Sequence, residues 1–131
     1  MSKRHIRYDT TPGCAVEATL EVIGGKWKGV LLFHLLERTN RFGELRRLVP
    51  GITQRVLTQQ LRELERDGVI TRKVYAEVPP RVDYSVTPFG RSLQSIVNLM
   101  RDWGDDYLAS GRNNNRARNH QSRPARGCLR L

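Results

Sequence analysis

The chain has 131 residues, 38 % of them apolar, and a formal net charge of +10. That length carries one domain with a single core, and no apolar run approaches the roughly 18 residues that a membrane-spanning helix requires. The opening MSKRHIRYDTTPGC is polar and lacks the apolar stretch of a secretion signal, and two distant cysteines, Cys14 and Cys128, make no disulfide framework; the expected location is the cytosol.

The charge is unevenly spread. Residues 1–110 hold 17 Lys and Arg against all 13 Asp and Glu, whereas residues 111–131 hold six Arg and no acid. A basic surface draws any polyanion, whether DNA, RNA or anionic membrane. The order of elements has to choose among them.

Residues 1–13 read as a flexible arm. A helix is predicted from about Ala15 to Ile23, with Val16, Thr19, Leu20 and Ile23 along one stripe, stopped by Gly24-Gly25. KWKGVLLFHLLER is apolar nearly all round and predicts the buried central helix, followed by a turn at Arg38-Thr39-Asn40. Phe42, Leu45, Leu48 and Val49 make a short helical face that ends at Pro50-Gly51. Thr53 is a good N-cap for a helix from Gln54 to about Arg66, because its hydroxyl can accept from an orphan backbone N–H. Val56, Leu57, Leu61 and Leu64 form the apolar face of that helix, and Gly68 suits the left-handed residue beyond its end.

Val69–Val78 and Val82–Val86 are β-branched runs around Pro79-Pro80-Arg81, which predicts a hairpin with a stiffened tip. Thr87-Pro88 then sets an N-cap and a first-turn proline. The final helix carries Leu93, Ile96, Val97, Met100, Trp103 and Tyr107, covering about 20 residues or roughly 30 Å. The polar, arginine-rich 111–131 stretch cannot bury a core and is expected to be disordered. The domain is thus 14–110: mainly α with a small β-hairpin, in the order of a winged helix-turn-helix.

That order points to duplex DNA. A helix fits the major groove, where base edges carry a distinct donor and acceptor code. The helix from Gln54 turns Gln54, Arg55, Thr58, Gln59 and Arg62 away from its apolar face. Gln and Arg can bind adenine and guanine bidentately, and Thr can touch a thymine methyl. Thr53, at the helix start, can present backbone N–H groups to a phosphate. Taken alone, such a helix is more often a solvated one. The helix before it, the hairpin after it and the basic balance shift the weight to DNA. Arg81 is a candidate for the minor groove, against a solvated loop arginine. Arg46, Arg47, Arg72 and Lys73 are candidate phosphate contacts, which position without specifying. Lys26 and Lys28 read equally as phosphate contacts or as a charged helix end.

The segments GGKWKGVLLFHLL, RFGELRRLVPGITQRVLTQQLRELERDGVITR and PPRVDYSVTPFGRSL, with a Trp in the last helix, resemble the HxlR-type winged helix-turn-helix transcription regulators, bacterial relatives of the MarR-type regulators. The resemblance covers about Cys14 to Tyr107, and its motifs are specific in combination. It implies a homodimer on a near-palindromic operator, with the terminal helices as the interface; we assign Val16, Leu20, Met100, Trp103 and Tyr107 to it. The apolar surplus of the last helix supports this independently, since the core is already supplied by the central helix and the helix-turn-helix. The resemblance also makes Cys14 a candidate sensor of oxidants or electrophiles, and a small-molecule or oxidant effector a candidate partner. A helix N-terminus favours a thiolate, and Arg4, His5 and Arg7 lie nearby in sequence. The alternative is a small apolar residue packed where the first helix meets its partner. Cys128 and the basic tail have no counterpart in the family pattern; the tail is a candidate for added non-specific DNA affinity.

His5, His34 and His120 show no metal-ligand spacing, and no phosphate-cradling or nucleophile motif is present. We expect no catalytic activity, cofactor, metal or membrane partner. Two rivals stand beside a sequence-specific regulator. One is a general, chromosome-associated nucleic-acid binder, against which Gln54, Thr58 and Gln59 argue. The other is a thiol-dependent enzyme built on Cys14.

Overall fold

A computed structural model of the chain describes residues 13–112. The expected arm at 1–12, the tail from 113 and Cys128 lie outside the described residues. Helix α1, Cys14–Ile23, starts one residue earlier than predicted, behind Gly13 at φ 93°. It ends where the Gly24 N–H reaches the Leu20 carbonyl at 2.7 Å. Helix α2, Lys28–Glu37, is the central helix expected from its all-round apolarity. Leu31, Leu32 and Leu35 are buried, and each such leucine removed from water stabilises the fold by roughly 1.5–3 kcal/mol.

The predicted turn after α2 holds a short strand, β1, at Asn40–Arg41. Asn40 is buried, and its Nδ2 donates to the Arg38 carbonyl at 3.0 Å, closing the bend by its side chain. Helix α3, Phe42–Leu48, follows at once. Its start is fixed by the Glu44 carboxylate, which accepts the Arg41 N–H at 2.8 Å; this bond holds the Glu44 carboxyl below its usual pKa. A turn through Pro50 and Gly51, with Gly51 at φ 92°, leads to helix α4, Gln54–Arg66. Thr53 caps it as expected, accepting the Val56 N–H at 3.1 Å. Leu57, Leu61 and Leu64 seal its inner face.

Gly68, at φ 81°, turns the chain into β2, Ile70–Tyr75, which pairs antiparallel with β3, Arg81–Val86. The hairpin is therefore shorter than predicted and its tip longer. β1 adds to the outer side of β3 in the order β1-β3-β2, with Asn40 opposite Tyr84 and Arg41 opposite Asp83. The strand period of two sends Ile70 and Tyr84 to the core and Lys73, Tyr75, Arg81 and Asp83 to the other face.

The single last helix predicted after Thr87 is two. Helix α5, Pro88–Arg91, is capped by the Thr87 hydroxyl, which accepts the Gly90 N–H at 2.9 Å. A break at Ser92 and Leu93 separates it from α6, Gln94–Ala109. α6 packs on α2 through Val97, its one buried residue. Between α1, α2 and α6 an apolar groove of about 840 Å³ stays open.

Candidate nucleic-acid interface

The unit α3–turn–α4 and the β2–β3 hairpin stand as a helix-turn-helix with its wing. One α-helical turn spans 3.6 residues, so Arg55, Gln59 and Arg62 fall on the side of α4 opposite Leu57, Leu61 and Leu64. All three are exposed, as are Thr53 and Gln54 at the helix start. Thr58 is half-buried at the edge of this face. Its hydroxyl donates back to the Gln54 carbonyl at 2.9 Å, which leaves the oxygen as an acceptor only. The core side of α4 is sealed and its outer side carries donors and acceptors, the division a major-groove reader needs.

Cations surround this face. Arg46 and Arg47 close α3 just before the turn, exposed; Arg72 and Lys73 are exposed on β2. Arg66 continues the row of Arg55, Gln59 and Arg62 to the end of α4, and Arg41 joins the polar face of the sheet through β1. Neither was anticipated. Arg66 was legible from helical spacing; Arg41 was not, because a two-residue strand leaves no periodicity to read.

Arg81 lies one step below the tip, at the start of β3. Its guanidinium carbon stacks 3.9 Å from the Tyr75 ring centroid, and it makes ion pairs with Glu77 at 3.6 Å and Asp83 at 3.5 Å. Lys73 stands 5.0 Å from the same ring. Lys73 and Arg81 are thus gathered around one tyrosine, and Arg81 is held by two carboxylates.

The two lysines of the GGKWK segment part company. Lys26 is exposed, with Nζ 4.7 Å from the Trp27 ring. Lys28 is only 7 % exposed and pairs with Glu63 of α4 at 2.6 Å, so it is a buried strut and not a phosphate contact.

The residues assigned to a dimer interface lie on α1 and α6. Trp103 is 70 % exposed and Val16 62 %, with Leu20 and Met100 also exposed and Tyr107 half-buried; Leu99, not among those assigned, is 66 % exposed beside them. Trp103 and Tyr107 stack at 5.6 Å, and Leu20, Met100 and Leu108 line the groove. Cys14 is a free, half-buried thiol in the first turn of α1. Among the described residues no group of three or more His, Cys, Asp or Glu is placed to hold a metal ion, and no helix is long and apolar enough to cross a membrane.

A family model described as HxlR-like helix-turn-helix matches residues 22–112. The chain belongs to the HxlR-like helix-turn-helix family. This HxlR-like chain is 61 % identical over 99 residues to the uncharacterized HTH-type transcriptional regulator YdeP of Bacillus subtilis (strain 168), covering 76 % of this chain and 77 % of YdeP. The uncharacterized HTH-type transcriptional regulator YybR of the same organism is 52 % identical over 124 residues, 92 % of this chain and 99 % of YybR. The solved structure of the redox regulator HypR in its oxidized form superposes with a TM-score of 0.69 at 58 % identity, covering 71 % of this chain and 96 % of that one. The HxlR-like chain is a DNA-binding transcription regulator with a winged-helix fold, and its relatives are regulators, not enzymes.

Proposed function

We propose that the regulator acts as a homodimer on a near-palindromic operator, with α4 in the major groove and the wing near Arg81 at the flanking minor groove. The observation that carries this reading is the division of α4: Leu57, Leu61 and Leu64 buried, Arg55, Gln59 and Arg62 exposed on the other side, and Gln54 exposed at the helix start. Thr53 offers the helix start to a phosphate, and Arg46, Arg47 and Lys73 neutralise the backbone. On the wing, Arg81 exchanges Glu77 and Asp83 for the duplex. Apolar side chains exposed on both α1 and α6, beside an open groove, support pairing through the terminal helices. Two-fold pairing sets the reading helices about one turn of DNA apart, roughly 34 Å.

The test is a variant with Gln54, Arg55 and Gln59 all replaced by alanine, assayed by fluorescence anisotropy on the site that the wild type selects from random duplexes. At roughly 1 kcal/mol or more per lost base contact, affinity falls at least about 100-fold. Affinity for unrelated duplex falls far less. Equal losses on both favour the general nucleic-acid binder.

A redox response is a second reading, favoured by the likeness to a redox regulator and by Cys14 lying half-exposed at the start of α1, the helix assigned to the interface. An oxidised or alkylated thiol there alters the pairing of the two chains and with it operator affinity. Cys14→Ser is expected to bind the selected site as the wild type does and to lose any response to diamide. A response that persists in this variant rules out Cys14 as the sensor.

A further inference from the structure

Three consecutive residues ahead of and within the first turn of α2 reach three separate parts of the molecule. Trp27 packs at the helix-turn-helix bend, its Cη2 4.0 Å from where a Cβ on Gly51 would stand. Lys28 carries Nζ to 2.6 Å from Glu63 Oε1 on α4. Gly29 meets α6, since a Cβ there would lie 3.7 Å from Met100 Cε. Within a single helical turn, the start of α2 therefore touches the reading helix, its preceding turn and the interface helix.

The chemistry of Lys28 is unusual for its place. A lysine is rarely so buried, and an apolar residue of the same length commonly packs as well or better than a buried ion pair. What the pair adds is a directional tie. Glu63 directly follows Arg62 and lies one helical turn beyond Gln59. Any roll or slide of α4 that moves Glu63 also swings the outward side chains, and it has to stretch the contact with Lys28.

We infer that Lys28 is a positioning residue for DNA recognition: through Glu63 it holds α4 at a fixed angle to α6, and so sets the spacing and phase at which two paired chains meet their half-sites. This rests on the dimeric, base-reading function proposed above.

The experiment uses the full chain and the duplex it enriches from a random library, with a second duplex carrying one extra base pair between the half-sites. The insertion turns one half-site about 35° against the other. The wild type loses about tenfold in affinity on the lengthened duplex, the scale of one lost base contact. The neutral pair Lys28→Met with Glu63→Gln removes both charges of the tie together; it loses no more than about threefold there, because α4 can adjust. Charge reversal, Lys28→Glu with Glu63→Lys, rebuilds the tie and returns the preference for one spacing.

A folded neutral pair that discriminates spacing as sharply as the wild type overturns the inference, since Lys28 then only fills space. Should that variant not fold, Glu63→Asp serves instead: a carboxylate one methylene shorter stretches or breaks the contact, and a spacing optimum and an about tenfold discrimination both unchanged from the wild type overturn the inference equally. A wild-type chain that enriches no sequence removes the functional reading itself, a different failure from a spacing preference that survives without the pair.

Discussion

His34 shows what a polar side chain pays for a place in the core. It is 4 % exposed, its Nε2 has no hydrogen-bond partner among the described residues, and its ring meets Phe33 edge-on at 5.3 Å. Burial pulls its pKa below the ordinary 6.5, and Glu37 opposes this only in part. The folded chain keeps a neutral imidazole while the unfolded chain binds a proton as pH falls through 6.5. Stability from this residue is complete above that value and is lost as pH drops toward the folded-state pKa. Thermal melts at pH values from about 7 to 5 are expected to show a steeper decline for the wild type than for His34→Leu. At the same scale, charge alone does not make a DNA contact: Lys26 is free to meet a phosphate, Lys28 is spoken for by Glu63, and Arg81 has to leave two carboxylates first.

Among the elements, the junction of sheet and α5 is closely packed. The Val69 carbonyl accepts the Thr87 N–H at 3.0 Å, the Thr87 hydroxyl donates to the Gly68 carbonyl at 2.7 Å, and a Cβ on Gly90 would overlap the Val69 carbonyl. Gly90→Ala is therefore expected to destabilise the domain by about 1–3 kcal/mol, the range for overpacking a filled site, read as a lower urea midpoint. Helices with a long apolar stripe and a capping residue, such as α2 and α4, were legible in the sequence, because Leu31, Leu35, Leu57 and Leu61 recur at helical spacing and Thr53 marks a start. β1 was not, since Asn40 and Arg41 are strand only by pairing with Tyr84 and Asp83 far along the chain. The split of α5 from α6 was hidden because Leu93 continues the apolar stripe through the break. The exposed face of α4 could be assigned from spacing alone. The burial of Lys28 could not, as nothing local distinguishes it from Lys26.

For the whole molecule, the described chain leaves more apolar surface uncovered on α1 and α6 than scattered surface residues account for, with Val16, Leu20, Leu99, Met100, Trp103 and Leu108 all exposed. Replacing Trp103 and Leu99 by Glu places charges in the proposed seam without touching the core around Val97. Sedimentation is expected to shift to the mass of one chain. Operator affinity is expected to fall by a factor on the order of 100 or more, since two tethered half-site contacts become one.

β1 runs straight into α3 and is hydrogen-bonded to the middle of β3, so the wing is bolted to the helix-turn-helix along its own strand. In the proposed docking, prong and helix form a caliper of set gap, and the double helix is the partner that must yield to it. Base steps lying under the gap, untouched by any side chain, are selected for how cheaply they bend or narrow. Flexible pyrimidine–purine steps there are expected to bind better than stiff ones of equal contact sequence.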